Sequence, residues 1–339
     1  MKRAGWAPVG EAGEAGEAGA SGRRWAPTIA RSVGGVWQDG GMATTNAPTH
    51  VIAHLSDTHF LKGRAKLYGT VDTDSTLARA LVQLERSEIR PNALVFTGDL
   101  TDLGETDAYT RIRALVEPAA ERMGAELVWV MGNHDVRSRM RVELLDQAGN
   151  DDPLDRVFDL DGLRLIALDT SVPGFHHGEL SSAQLEWLRA ELRTPCAHGT
   201  LIALHHPPIP TTLPLMPILE LQEQELFADA IRGTDVRGIL GGHLHYSTTS
   251  LFAGVPISVA AATCYTLDLS AGPGRLDGVG GAQSFNLVHV YPEQVVHSVV
   301  PVGDHAVINS FPTEVVRRIE ALSPAAQRDA FSRHAPDAG

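Results

Sequence analysis

Five short clusters of aspartate, histidine and asparagine have residue types that bind divalent metal ions. Their donor atoms are carboxylate oxygens, imidazole nitrogens and one amide oxygen, without a thiolate. That set suits Fe, Mn, Zn or Co, and it disfavours a closed structural zinc site of the cysteine type. The clusters are Asp57-x-His59, Gly98-Asp99, Gly132-Asn133-His134-Asp135, His205-His206 and Gly242-His243-x-His245.

The five clusters together are far more specific than any one of them. A lone Asp-x-His is a weak signal, and Gly-Asp alone is usually part of a turn. The motif Gly132-Asn133-His134-Asp135 is more specific for a functional site, because a turn needs no histidine there. We expect His206 to support the site rather than ligate, since only one of two neighbouring extended residues can point at the metals. His176 and His177 lie in a Pro-Gly loop that could form a lip of the site.

Each cluster directly follows a short apolar run, which predicts that a strand positions it. Sites in open α/β sheets form at the carboxyl ends of strands, so five such ends can converge. On extended chain, residues i and i+2 point the same way. Both side chains of Asp57-x-His59, and both of His243-x-His245, are therefore expected to face one metal cluster. The apolar runs are Val51–Leu55, Leu94–Phe96, Leu127–Val130, Leu201–Leu204 and Ile239–Leu240.

The remaining pattern predicts an α/β protein in which two mixed sheets pack face to face with helices outside. Helices are expected over 75–87, over 108–123 with a bend or split near Pro118, from the capping-box sequence at Ser181, over 220–231 and over 313–322. After Tyr246 the pattern is β only. The predicted strands are 50–55, 93–97, 126–131, 163–168, 200–204, 236–240, 250–252, 256–261, 286–291 and 295–300.

Composition predicts three segments. Residues 1–48 contain a Gly-Glu-Ala repeat and no periodicity, so we expect a disordered extension, and Met42 could be the true start. Residues 49–305 are predicted to form one domain without a linker. Residues 306–339 are expected to add a helix and a polar tail.

Charge and cysteine content indicate which partners and which cell compartment suit the protein. The 339 residues carry a net charge of −13, which argues against a nucleic-acid partner. Two distant cysteines, Cys196 and Cys264, form no disulfide framework and suggest a cytoplasmic protein. We find no apolar run long enough for a transmembrane segment and no apolar core of a signal peptide.

The motif set resembles the calcineurin-like metallophosphoesterase superfamily, and within it the class III cyclic-nucleotide phosphodiesterases, above all the mycobacterial ones. The resemblance covers about residues 50 to 303. It rests on His54–His59, Val95–Asp99, Val128–Asp135, Leu204–Pro210, Gly242–Thr248 and Ala262–Thr266.

The resemblance implies a four-layer α/β/β/α sandwich and a site for two metal ions. One metal would be held by Asp57, His59, Asp99 and His245. The second would be held by Asp99, Asn133, His205 and His243, with Asp99 bridging. The family further implies iron paired with manganese, although zinc, cobalt or another divalent ion would also suit these donors, and several relatives are homodimers.

The implied reaction is hydrolysis of a 3′,5′-cyclic nucleotide such as cyclic AMP to the 5′-nucleotide. Two cations can clamp the attacking and leaving oxygens at phosphorus, with a bridging hydroxide as nucleophile. His134 would protonate the leaving oxygen or stabilise the phosphoryl charge. Asp135 would orient the His134 ring or favour its imidazolium form. Asn133, His134 and His176 are the expected substrate contacts.

One residue difference from other members of the superfamily favours a diester substrate over a monoester. In the protein Ser/Thr phosphatases of the superfamily, an arginine stands where this chain has Leu103, and fewer cationic groups suit a singly charged diester. Two alternatives stay open. One is a phosphodiesterase of broader or different specificity, acting on 2′,3′-cyclic nucleotides or glycerophosphodiesters. The other is a non-catalytic scaffold, which the intact set of ligand candidates disfavours.

Overall fold

The computed structural model of the protein describes residues 47–333. The thirteen strands in this range are β1 (His50–Leu55), β2 (Ala93–Thr97), β3 (Glu126–Val130), β4 (Arg156–Leu160), β5 (Leu163–Leu168), β6 (Thr200–Leu204), β7 (Val236–Gly241), β8 (Thr248–Phe252), β9 (Val255–Val259), β10 (Thr266–Leu267), β11 (Gly278–Val279), β12 (Ser284–Val290) and β13 (Val295–Pro301). Of these, β2, β5 and β6 are buried along their whole length.

Helices connect β1 to β2, β2 to β3, β5 to β6 and β6 to β7, whereas β7 and β9 are connected through β8. Ser181 caps one of these helices through the reciprocal bonds of a capping box with Gln184, as predicted. Single 3-10 turns occur at Lys62–Arg64 and Met216–Leu219. The helices are α1 (Thr73–Arg86), α2 (Thr106–Met123), α3 (Arg137–Leu145), α4 (Ser182–Glu191), α5 (Gln224–Ile231), α6 (Thr313–Glu320) and α7 (Pro324–Gln327).

Two mixed sheets form the body of the fold. The first has the strand order β13-β12-β1-β2-β3, and the second has the order β4-β5-β6-β7-β9-β8. In the first sheet, β1, β2 and β3 are parallel and lie at one side, next to the antiparallel strands β12 and β13. In the second sheet, the parallel strands β5, β6, β7 and β9 lie between the antiparallel edge strands β4 and β8. Strands β10 and β11 make a separate ribbon.

Three apolar layers show how these sheets stack. Between the sheets, Ile52 and Val95 of the first pack with Leu165 and Leu201 of the second. The other face of the first sheet packs against α1, α2 and α3, and that of the second packs against α4 and α5. The four-layer α/β/β/α arrangement with two mixed sheets is therefore confirmed.

Several element boundaries differ from the prediction. Pro118 does not split α2, which runs without interruption from Thr106 to Met123. Helix α5 begins only at Gln224, because Glu220 is extended and Glu223 has a left-handed φ of 50°. Helix α3 and strand β4 were not predicted. Strands β12 and β13 form a hairpin that turns at Pro292-Glu293, where the Tyr291 backbone nitrogen donates to the Gln294 carbonyl.

The chain divides into two compact units. Described residues up to His305 belong to the unit that contains both sheets, and residues 306–333 belong to the other. The second unit holds α6, α7 and a π-helical turn at Arg328–Ser332. The predicted disorder of residues 1–48 falls, except for Ala47 and Pro48, outside the described residues. Within the described range, no helix combines the length and apolarity that membrane crossing requires.

Candidate metal centre

All five ligand clusters follow the carboxyl ends of strands at one edge of the two sheets. Strands β1, β2 and β3 of the first sheet lead into Asp57, Asp99 and Asn133. Strands β6 and β7 of the second sheet lead into His205 and His243. The seven predicted metal ligands thus come from both sheets and meet where the sheets face each other.

Backbone geometry at this edge differs from the prediction. Asp57 and His59 have φ values of 52° and 47°, and His243 and His245 have values of 69° and 57°. These residues are in the left-handed region, so the expectation of extended Asp-x-His and His-x-His segments is wrong. The side chains converge because the chain turns sharply at each pair. Such conformations cost on the order of 1–3 kcal/mol each and concentrate at functional sites.

Two glycines allow the loops to approach so closely. A Cβ atom on Gly132 would lie 2.0 Å from the backbone nitrogen of Asp99. On Gly242 it would lie 2.1 Å from Oγ of Ser56 and 2.6 Å from the carbonyl oxygen of Thr97. Any side chain at either position would push these loops apart.

One group of four side chains brings its donor atoms together. One donor atom each from Asp57, His59, Asp99 and His245 lies within 4.8 Å of the others, and all four residues are buried. His59 Nε2 lies 3.5 Å from Asp99 Oδ2, and His245 Nε2 lies 3.3 Å from Asp57 Oδ1. These are the residues predicted to hold the first metal.

A second group surrounds the other side of Asp99. His205 Nε2 lies 3.3 Å from Asp99 Oδ2 and 3.0 Å from Asn133 Oδ1. The rings of His205 and His243 are 5.0 Å apart. Asp99 Oδ2 thus approaches imidazole nitrogens of both groups, the position that a bridging carboxylate requires.

The hydrogen bonds of the histidine rings fit metal ligation. His205 donates Nδ1–H to the Thr97 carbonyl at 2.7 Å, and His245 donates Nδ1–H to the Tyr265 carbonyl at 3.1 Å. His59 Nδ1 faces Asp102 Oδ1 at 2.9 Å. Bonds of this kind hold a ligating histidine by its second nitrogen and leave Nε2 for the metal. These three residues therefore direct Nε2 inward.

Two further features of the histidine rings indicate that the site suits a positive charge. The Nε2 atoms of His59 and His245 are 3.2 Å apart, a distance that two lone pairs tolerate only with a proton or cation between them. His243 Nε2 is buried and has no hydrogen-bond partner among the described residues. A bound metal would satisfy both arrangements.

The ionisation states of the buried aspartates also favour a cation at this site. Burial alone would raise the pKa of Asp57, but the contacts with His245 outweigh it and hold this pKa at about 2. Asp99 stays ionised as well, because His205 and His134 outweigh its burial and lower its pKa. In turn, Asp99 outweighs the burial of His205 and raises the pKa of that histidine to about 9. The two buried carboxylates thus stay negatively charged, which favours a cation beside them.

His134 lies beside this cluster, as predicted, but its orienting partner differs. Its Nδ1 atom is 2.9 Å from the carbonyl oxygen of Asp102, and its ring is 4.9 Å from that of His59. The Asp135 carboxylate instead accepts from the backbone nitrogens of residues 100, 101 and 132 and from the Tyr109 hydroxyl. The expectation that Asp135 orients the His134 ring is therefore wrong. Asp135 ties the β2 and β3 loops together.

The two other histidine expectations concern His176 and His206. His176 is exposed at the lip, where its Nδ1 atom is 2.8 Å from Asn133 Nδ2 and its ring is 5.1 Å from that of His134. His206 Nε2 donates to the His176 carbonyl at 3.2 Å, and its Nδ1 accepts from the Thr170 hydroxyl at 2.8 Å. Both nitrogens of His206 are therefore engaged in holding the lip.

Sequence reasoning assigned no role at the site to Asp102, Tyr265 or Cys264. Asp102 contacts both His59 and His134. Its position three residues after Asp99, in the same loop, is the sequence feature from which a role at the site could have been predicted. Tyr265 accepts from His245, and Cys264 Sγ lies 3.8 Å from the same ring. The motif Ala262–Thr266 had carried part of the resemblance, without any role for its members.

A model of the calcineurin-like phosphoesterase family matches residues 50–247, more than half of the chain. The chain belongs to this family. As a calcineurin-like phosphoesterase it has relatives across most of its length. A cAMP/cGMP dual specificity phosphodiesterase of Mycobacterium tuberculosis is 53% identical over 85% of this chain and 92% of its own length. A probable cyclic nucleotide phosphodiesterase of Rhodococcus erythropolis is 52% identical over 83% of this chain and 93% of its own.

A solved structure supports the fold of this calcineurin-like phosphoesterase. The dimetal phosphatase from Danio rerio has a TM-score of 0.55 and covers 76% of this chain and 98% of its own. At 18% sequence identity, this likeness concerns the fold alone.

Proposed function

We propose that this phosphoesterase hydrolyses 3′,5′-cyclic nucleotides, cyclic AMP among them, to 5′-nucleotides. The observation that carries the proposal is the 53% identity to a cAMP/cGMP phosphodiesterase over 85% of this chain and 92% of that one. The clustered aspartates and histidines add the chemistry that such a reaction needs.

Two divalent cations would supply Lewis acidity, lowering the pKa of a water nucleophile and offsetting phosphate charge. Asp57, His59, Asp99 and His245 would hold one, and Asp99, Asn133, His205 and His243 the other. Mixed oxygen and nitrogen donors suit iron, manganese, zinc or cobalt, and we propose iron with manganese as the native pair.

Three side chains at the mouth of the site would act on the substrate. His134 donates Nδ1–H to the Asp102 carbonyl, so Nε2 is the ring atom left for the substrate. When protonated, it would pass a proton to the departing 3′-oxygen. Asn133 and His176, linked at 2.8 Å, would contact the phosphate and help to position it.

The second loop favours a diester over a phosphorylated protein. Leu103 is exposed there, where the protein Ser/Thr phosphatases of the superfamily carry an arginine. A singly charged diester needs fewer cationic partners than a dianionic monoester does. The alternative substrates that remain are other diesters, namely 2′,3′-cyclic nucleotides and glycerophosphodiesters.

Two further properties belong to the proposal. We propose a cytoplasmic location, supported by the free thiols of Cys196 and Cys264. We propose a homodimer on the basis of the family resemblance, and light scattering of the purified protein would measure its mass directly.

A kinetic comparison tests the proposed substrate. The kcat/KM values of 3′,5′-cyclic AMP, 2′,3′-cyclic AMP and glycerophosphocholine would be measured on protein of known metal content. We expect 3′,5′-cyclic AMP to have the highest value. A higher value for either other diester would overturn the substrate. Bis(p-nitrophenyl) phosphate hydrolysis that persists at full rate in chelator would overturn the metal-dependent chemistry.

A further inference from the structure

A cavity of about 830 Å³ lies beside the metal centre and takes no part in the chemistry described above. Its walls come from the segment before and within α1 and from the β10–β11 region. Its volume falls within the range typical of small-molecule sites. We call it the tyrosine cavity, because Tyr68 and Tyr265 form one wall.

The two tyrosines form an aromatic pair at the cavity wall. Their ring centroids are 5.5 Å apart in an edge-to-face arrangement, and their hydroxyl oxygens are 3.4 Å apart. Tyr68 is nevertheless 74% exposed, so most of its surface is open to a bound molecule. It also has a φ of 51°, a strained conformation for a bulky residue.

A tight turn holds Tyr68 in that conformation. Leu67 and Val71 exchange backbone hydrogen bonds of 3.0 Å in both directions, and the turn between them carries Tyr68 at its start. Leu67 is buried against Ala262 and Cys264, in the loop that precedes Tyr265. The turn that carries Tyr68 is therefore packed against the loop that carries Tyr265.

Tyr265 connects the cavity to the metal centre. Its carbonyl oxygen accepts from His245 Nδ1 at 3.1 Å, and its ring centroid is 4.5 Å from that of His245. The same ring lines the cavity. A substrate whose phosphate lies at the metals could thus extend its other end along Tyr265 into the cavity.

We infer that the tyrosine cavity binds the nucleobase of the cyclic nucleotide. This inference rests on the proposed function and deepens it. An aromatic base has two flat apolar faces and a polar edge, and an open aromatic wall accepts such a face by stacking.

The rest of the cavity lining suits the polar edge of a base. Thr70, Ser75 and Gln283 contribute hydroxyl and amide groups, while Leu267 and Val279 contribute apolar surface. Gln283 donates Nε2–H to the Cys264 carbonyl at 3.1 Å, which fixes its amide. Among the described residues, none donates to Gln283 Oε1, so that oxygen could accept from an exocyclic amine.

The test uses two diesters, one with a base and one without. Cyclic AMP carries the base, and methyl p-nitrophenyl phosphate carries the same single negative charge without it. Tyr68→Ala is the decisive variant, because the described contacts of the Tyr68 ring are with Tyr265 and not with a metal ligand. Tyr68→Phe keeps the ring, and Leu251→Ala removes an exposed side chain that is not part of the cavity lining. Melting temperature and metal content would be measured for each protein.

We expect Tyr68→Ala to raise the KM for cyclic AMP by at least about fivefold, the low end of what base–aromatic stacking contributes. The kcat for cyclic AMP and both constants for methyl p-nitrophenyl phosphate should stay unchanged, since uniform binding affects KM alone. Tyr68→Phe and Leu251→Ala should match the wild type. An unchanged KM for cyclic AMP, or equal losses on both diesters, would overturn the inference. A wild-type enzyme that cleaves methyl p-nitrophenyl phosphate but not cyclic AMP would instead overturn the proposed function.

Discussion

The Nδ1 atom of His134 lies 2.9 Å from the backbone carbonyl oxygen of Asp102, while the Asp102 carboxylate lies 2.9 Å from Nδ1 of His59. One residue therefore orients both a metal-ligand candidate and the candidate proton donor. The Asp102 carboxylate is also 3.7 Å from His134 Nδ1.

We predict that the role of His134 depends on the leaving group. His134→Ala should slow cyclic AMP hydrolysis at least about tenfold more than bis(p-nitrophenyl) phosphate hydrolysis, because general acids typically contribute about 10²–10⁴-fold and p-nitrophenolate needs little protonation. Steady-state kinetics on both substrates would measure the ratio. Metal content must be equal in the two proteins. Equal losses on both substrates would leave His134 an electrostatic role only.

A second prediction concerns Asp102. Asp102→Ala should weaken metal binding or activity roughly 10–100-fold, the range known for partners that hold metal-ligating histidines. Metal titration and cyclic AMP hydrolysis would be measured together. Asp229→Asn, which removes an exposed carboxylate on α5, is the matched control and should behave as wild type. An Asp102→Ala protein with wild-type metal affinity and rate would contradict the orienting role.

Much of the architecture could be predicted from the sequence. Strands β1, β2, β5 and β6 have the predicted bounds, because each is a short apolar run buried in the sheets. Strand β4 escaped prediction because it is a short edge strand that alternates exposed and buried residues. Helix α3 was not predicted because its nine residues include three arginines and bury only Met140 and Leu144.

The details of the site were less accessible from sequence. The left-handed conformations of Asp57 and His243 are imposed by contacts between loops, such as the Asp57 carboxylate accepting from the His243 backbone nitrogen at 3.1 Å. Residue types do not encode such contacts. The choice between Asp102 and Asp135 as partner of His134 likewise depends on loop geometry, since sequence adjacency favoured Asp135.

Asn133 provides a third prediction. Its neutral amide oxygen is a weaker ligand than a carboxylate, and Asn133 Oδ1 lies 3.0 Å from His205 Nε2. Asn133→Ala should lower the occupancy of the second metal and reduce activity strongly, with partial rescue by excess Mn²⁺. Elemental analysis and rate measurement would be made on the same sample. Unchanged metal content together with an unchanged rate would exclude the ligand role.

A fourth prediction concerns stability and pH at a site away from the metals. Burial, reinforced by the nearby Asp169 carboxylate, outweighs two hydrogen bonds and raises the pKa of Asp155 to about 6. The folded state therefore binds this proton more tightly than the unfolded state does. Stability should fall as pH rises from about 4 to about 6, and the cost should persist above that range.

Asp155→Asn removes this charge and keeps an oxygen to accept from the Asp169 backbone nitrogen and from Gln184. Its melting temperature should exceed that of the wild type at pH 8 by on the order of 2–4 °C, which corresponds to about 1 kcal/mol. The difference should shrink at pH 5, where the wild-type carboxyl is protonated. Calorimetry at both pH values would measure it, and a difference that is the same at both would refute the shift.

The proposed bridging role of Asp99 gives a fifth prediction. Its Oδ2 atom lies 3.5 Å from His59 Nε2 and 3.3 Å from His205 Nε2, so one carboxylate serves both groups of donors. Asp99→Ala should therefore release more metal than Asp57→Ala or Asn133→Ala. Retention of one tightly bound equivalent at each site by Asp99→Ala would show that the two metals share no ligand.

The most direct test of the two-metal account is to titrate metal-stripped protein with Mn²⁺ while following 5′-AMP formation from cyclic AMP. The account predicts that the rate rises until two equivalents are bound per chain and that 5′-AMP is the product. Full activity without added metal, saturation at a single equivalent, or formation of 3′-AMP would contradict it.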